Sequence, residues 1–215
     1  AIIGAALLTV TFALGAYFYC GWRDAASGAA TLKIEAHRIN AEGRGPGSLG
    51  AARLAILILV EDPKFFAHDG VDFMTPGAGA TTITQSLSKR VAFKDFRKGL
   101  GKIRQTAYAV SLENHLTKEE ILTPFLDRQP MGPAADGGRR LQGLHRASEA
   151  FFDAAPADIA EDEFLALVAM LIAPDRLSLT RPSAERVERV RRIRKLAARS
   201  CKPSGHGDVW LEGCA

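Results

Sequence analysis

Glu61 and Asp62 follow an unbroken hydrocarbon run, LAILILV. A carboxylate at the end of an apolar segment is partly desolvated, which raises its proton affinity and makes it a base near neutral pH. The plainer alternative is surface charge at a helix end. Neighbouring helix positions face different ways, so the two carboxylates have different tasks. A second group lies in GAGATTITQSLSKR, residues 77–90, where Thr82, Gln85, Ser86 and Lys89 recur at helical spacing after a Gly-rich loop. Free N–H groups at a helix start favour anions, although the stripe also reads as a solvated face. Ser86-x-x-Lys89 has the spacing of an acylating serine, but the SDN and KTG partners of that chemistry are absent. Third, Arg97, Lys98, Lys102 and Arg104 crowd one basic stretch. Few aromatics interleave there and no helix-turn-helix or RNA-binding motif accompanies it, which argues against nucleic acid. A pyrophosphate or a lipid headgroup fits the same charge.

The elements that must hold these groups read as helices. Residues 51–60 are apolar helix formers that Pro63 interrupts. Residues 70–80, GVDFMTPGAGA, read as a loop. Thr81 or Thr82 caps a helix to about Val91, with Ile83, Leu87 and Val91 toward the core. Residues 96–116 read as a long helix with Leu100, Ile103, Ala107 and Val110 inward, and Thr117 with Glu120 forms a capping-box pattern. Residues 129–140, QPMGPAADGGRR, read as irregular, with helices over 141–152 and 161–173 beyond them. A last helix over 183–199 has Val187, Val190, Ile193 and Ala197 inward and its Arg and Lys outward. No strand pattern of any length and no repeat is evident. The expected class is mainly α.

Hydrophobic residues make up 47% and charged residues 24% of the 215, compatible with a packed core. The net charge of +4 favours an anionic partner. Residues 1–22 carry no charge and end in Tyr17, Tyr19 and Trp22. Roughly 20 apolar residues span a bilayer as a helix, and aromatic rings favour its interface. A transmembrane anchor is expected here. A signal peptide cleaved within AASGAA is the rival, with a shorter apolar region. Residues 23–50 read as a connector, 51–199 as the domain and 200–215 as a tail holding Cys201 and Cys214. Those two cysteines close a loop in an oxidising compartment or stay as thiols. No zinc-type Cys/His spacing occurs, and no metal ligand is assigned.

Together these stretches resemble the peptidoglycan glycosyltransferases of family 51. Glu61, Asp62, Phe65, His68, Gly70 and Asp72 match every fixed position of its first motif, E-D-x-x-F-x-x-H-x-G-x-D. Gly79, Thr82, Ile83, Thr84, Gln85 and Lys89 match the second, G-G-S-T-I-T-Q-Q-x-x-K, while Ala80, Thr81 and Ser86 depart from it. Arg97 and the triplet Lys102-Ile103-Arg104 match the third, whose Glu is Gln105 here. The fourth, I-L-x-x-Y-L-N, reads Ile121 to Asp127, and residues 147–174 echo the closing pattern. The connection between the first two motifs is shorter than the family's usual one.

The resemblance implies a lysozyme-like domain beside the bacterial inner membrane. A single-pass anchor would keep the site on the periplasmic or extracellular face. It implies polymerisation of lipid II onto a growing glycan chain, with inversion and an undecaprenyl pyrophosphate leaving group. By the match, Glu61 is the general base, with Gln105 at the second carboxylate's position. Asp62, Phe65, His68, Thr82, Gln85, Lys89, Arg97, Lys102 and Arg104 are the candidate substrate-binding set. A divalent cation, Mg2+ or Mn2+, is compatible with that leaving group, and other cell-wall synthesis proteins are natural partners. A family member that binds lipid II as a scaffold or regulator, without turnover, is the alternative that Gln105 raises.

Overall fold

The computed structural model describes the backbone of residues 2–215 and the side chains from residue 7 onward. Among the described residues the architecture is mainly α. The order is α1 (Ile2–Ala41), α2 (Ala51–Glu61), α3 (Ile83–Ala92), α4 (Leu100–His115) and α5 (Lys118–Arg128). A short hairpin of β1 (Pro130–Pro133) and β2 (Arg140–Gln142) follows, then α6 (Leu144–Phe152), α7 (Glu161–Met170) and α8 (Ala184–Ala197).

The starts and stops follow local chemistry. α2 ends at Glu61 because Pro63 disfavours the helical region at Asp62, which sits at φ −163°, ψ 80°. At α3, Thr82 Oγ1 accepts from Gln85 N while Gln85 Oε1 accepts from Thr82 N. Thr117 and Glu120 cap α5 in the same reciprocal way. Each box satisfies two N–H groups that the helix leaves open. Phe65, Leu57, Leu87, Leu112, Ile121, Leu122, Phe125 and Phe164 are buried in one core. α1 packs on α4 and α5, α3 on α4 and α5, and α7 on α8.

Several expectations are corrected. Much of the segment 23–50, read as a connector, is helical: α1 continues without a break to Ala41. Its second half is rich in Ala and Gly because it lies close against other helices. Ala25, Ala29 and Ala36 are buried, and a Cβ on Gly21 would meet the Arg104 side chain at 2.9 Å. The expected transmembrane anchor falls partly on side chains outside the described residues. Among the described residues, no helix is long and apolar enough to cross a membrane.

The irregular segment 129–140 contributes β1 of the antiparallel hairpin, whose register is interrupted between Pro130 and Pro133. α4 starts at Leu100, because Gly99 at φ +86° cannot extend it backward. Leu100 is exposed, and α4 buries Gln105, Ala107, Tyr108, Ala109, Ser111 and Leu112 instead, since partners lie on two of its sides. In α8, Val187 is exposed and the inward row is Arg189, Ile193 and Leu196. One arginine of that helix therefore faces inward. Cys201 and Cys214 are joined as a disulfide.

Candidate active site

Glu61 is the last residue of α2, half-buried, and lines a cleft of about 210 Å³. Val60, Ala78, Ala80, Ile172 and Val209 make much of its wall apolar, and Arg189 supplies a cation. Burial pushes the Glu61 carboxyl up to about 7, against the pull of Arg189 and Arg90; the adjacent Asp62 charge adds to the rise. A carboxylate with that affinity exchanges protons near neutral pH. A larger concavity of about 790 Å³ lies between α1, the end of α5, the hairpin and α6. Its charged lining is largely paired internally, as Arg128 with Glu35 and Arg146 with Asp127.

Asp62 turns the opposite way and is fully buried. His68 Nε2 donates to its two oxygens at 3.0 and 2.9 Å, and the Ile83 N–H donates to Oδ2 at 2.9 Å. The Gly70 N–H donates to His68 Nδ1 at 3.1 Å, which leaves the ring proton on Nε2. Asp62 thus ties the end of α2 to the motif loop and to the start of α3, where a negative charge is favoured. Gly70 stands at φ +94°, and a Cβ there would meet the Ala109 carbonyl carbon at 2.9 Å. Its carbonyl accepts from Thr82 Oγ1 at 2.7 Å.

The cations divide. Lys102 Nζ donates to Ala80 O at 2.5 Å, Thr81 Oγ1 at 3.2 Å and Gln85 Oε1 at 3.3 Å. Ala80 and Thr81 line the Glu61 cleft, so this ammonium stands behind its rim. Burial lowers the Lys102 pKa, and repulsion from Lys89 lowers it further. Lys89 is exposed, near the Phe96 ring. Arg97 is exposed on the segment between α3 and α4. Arg104 is directed elsewhere: it pairs with Asp24 of α1 at 2.6 Å.

The remaining candidates are interior. Phe65 is fully buried, with Lys118 Nζ 4.7 Å from its ring centroid. Thr82 and Gln85 spend their polar atoms on the α3 cap, and Gln85 Nε2 also donates to Thr106 Oγ1 at 3.0 Å. Gln105 is buried; its Nε2 donates to Gln85 O at 2.7 Å, while its Oε1 has no partner. Gln105→Glu would set a carboxylate against that carbonyl, two acceptors facing each other. The expected cost is about 1–3 kcal/mol of stability at neutral pH, smaller at acid pH where the new carboxyl is protonated. Urea unfolding at pH 5 and pH 8 measures it, and equal stability to wild type at pH 8 would refute it.

Sequence reasoning missed Arg90, Arg189 and Val209. Arg189 falls at helical spacing from Ile193 and Leu196, which was the available signal. The two cysteines bounding residues 201–214 were the signal for Val209. Among the described residues, no group of three or more His, Cys, Asp or Glu side chains is arranged to hold a metal ion.

The chain's relatives agree with the motifs. Penicillin-binding protein 1C of Escherichia coli (strain K12) is 32% identical over 178 residues, 74% of this chain and 22% of that protein. The biosynthetic peptidoglycan transglycosylase of Bdellovibrio bacteriovorus is 28% identical over 149 residues, 64% of this chain and 57% of that protein. Penicillin-binding protein 1A of Clostridium perfringens (strain 13 / Type A) is 29% identical over 119 residues, 47% of this chain and 17% of that protein. The chain therefore spans less than two thirds of the length of each. The transglycosylase family profile matches residues 48–198, and on that match the chain belongs to the transglycosylase family.

Proposed function

We propose that this chain is a peptidoglycan glycosyltransferase that joins lipid II units into glycan strands. The observation that carries the reading is Glu61, a carboxyl raised to about 7 in an apolar-walled cleft. In the proposed step the 4-hydroxyl of the acceptor sugar gives its proton to Glu61 as its oxygen bonds to the donor's anomeric carbon. The bond from that carbon to the pyrophosphate oxygen breaks with inversion, and the electron pair leaves with undecaprenyl pyrophosphate. Lys102 and Lys89 are held close enough to repel each other, and an anion between them relieves that repulsion. Preorganised charge of this kind acts on the developing negative charge without reorganisation. Arg97 is free at the surface to join them.

Gln105 fits an active enzyme in this reading. Its amide N–H holds the α3 backbone, a positional task a neutral side chain performs. The impaired-scaffold alternative predicts lipid II binding without polymer.

The proposed place of action is the outer face of the bacterial inner membrane. The Cys201–Cys214 disulfide suits an oxidising compartment. Leu7, Leu8, Val10 and Phe12 of α1 are exposed apolar side chains suited to a lipid surface, as are Phe73 and Met74 of the motif loop. The deciding experiment gives the purified protein labelled lipid II in detergent and resolves the products on a gel. Glycan ladders are expected, and their absence where a standard polymerase works would sink the reading.

A further inference from the structure

The wall of the Glu61 cleft includes Val209, which lies outside the family match of 48–198. Val209 belongs to a loop closed by the Cys201–Cys214 disulfide. That loop is internally organised by Asp208. Its Oδ2 accepts from Ser204 N and Gly213 N, both at 2.9 Å, and its Oδ1 from Glu212 N at 2.7 Å. It is also fastened to the cleft's own rim. The Gly77 N–H donates to Gly205 O at 2.9 Å, the Gly79 N–H donates to His206 O at 2.8 Å, and His206 Nδ1 lies 3.0 Å from Thr75 O. The fit is close: a Cβ on Gly77 would come 2.8 Å from Pro203 Cγ, and one on Gly79 would collide with Val209. On the far side Arg189 Nη1 donates to Val209 O at 2.9 Å, and the Arg189 guanidinium lies 5.5 Å from the Trp210 ring centroid.

We propose that the disulfide-closed loop 201–214, which lies beyond the family match, is a positioning element of the Glu61 site. It straps the rim segment 75–80 in place and supplies Val209 as the wall that keeps water from the carboxyl. Arg189, held by the same loop, is fixed as the cleft's resident cation. That the Glu61 site is catalytic rests on the glycosyltransferase reading; the strap and the wall do not.

The charged groups acting on Glu61 are Arg189 on α8, Arg90 on α3 and Asp62 on α2. Two variants separate strap from wall. Cys201→Ser/Cys214→Ser opens the loop and should raise amide hydrogen exchange at Gly77 and Gly79 at least about ten-fold, with α4 and α5 amides unchanged. Exchange within two-fold of wild type at both glycines overturns the strap. Val209→Ser keeps the disulfide and the carbonyl that Arg189 uses, and it admits water beside Glu61. The Glu61 carboxyl titration, followed by carbon-13 NMR, should then move to lower pH by about half a unit or more. An unmoved midpoint overturns the wall. Neither readout needs turnover, so a protein that makes no polymer still decides both.

Discussion

Glu61→Gln should abolish polymerisation while making the protein more stable above neutral pH. Removing a general base costs about 10²- to 10⁴-fold in rate, and the amide that replaces it cannot accept a proton. The stability effect runs the other way. The folded protein holds the Glu61 carboxyl up to about 7, above its ordinary value of 4.5. Between those values the folded state binds more protons than the unfolded chain, so this group's contribution to stability falls as pH rises from 4.5 to 7. Above 7 the charged group is carried at a cost of about 1–3 kcal/mol, since a tenfold change in proton affinity is worth about 1.4 kcal/mol. Glutamine has no such cost. Urea titrations of both proteins at pH 5 and pH 8 should give a variant advantage at pH 8 that fades at pH 5. Lipid II polymerisation should be reduced to background at both. A variant that polymerises at a tenth of the wild-type rate, or loses stability at pH 8, would remove Glu61 from the proposed role.

Asp62→Ala should cost stability heavily although its side chain meets no solvent. The carboxylate accepts from His68 Nε2 and Ile83 N. Truncation leaves both donors buried without a partner and removes a negative charge from the start of α3. Breaking a buried charged contact costs about 3–5 kcal/mol. For a chain of this size that lowers the melting temperature by about 6–20 °C. Asp62→Asn keeps one acceptor oxygen and turns an NH2 toward a donor, so its loss is expected to be about half as large. Activity falls in both variants, because the rim that Lys102 touches is carried by the segment leading into α3. Differential scanning calorimetry checks the order wild type, Asn, Ala. An alanine variant melting within a degree of wild type would show that Asp62 is not the tie described above.

The pair at positions 61 and 62 also shows what was readable in advance. That the two carboxylates must differ follows from adjacency alone. The capping box at Thr117 was legible because it needs only residues three apart, whereas at α3 the sequence narrowed the cap to Thr81 or Thr82 and the structure supplied the box with Gln85. The hairpin was not, since β1 and β2 are very short, carry Pro and Gly, and have an interrupted register. Arg189 was misread for a related reason. A charged residue in an amphipathic pattern counts as outward, and only the tertiary partners Trp210 and Val209 reverse that. The continuation of α1 past residue 22 was hidden by its composition. Ala and Gly there are the small side of a helix contact, and the sequence of one helix does not announce the other.

The unbroken course of α1 has a mechanical consequence. Its second half is bolted to α4 and α5 through Asp24–Arg104, Lys33–Glu120 and Glu35–Arg128. Its first half extends from that clamp as a stiff mast, about 30 Å long at 1.5 Å per residue. A flexible tether would let the catalytic cleft tumble relative to whatever grips the mast. A rigid one fixes both height and heading. One residue inserted where the mast leaves the clamp would turn the gripped face by about 100°, aiming the Glu61 cleft in a new compass direction with every atom of the site unchanged.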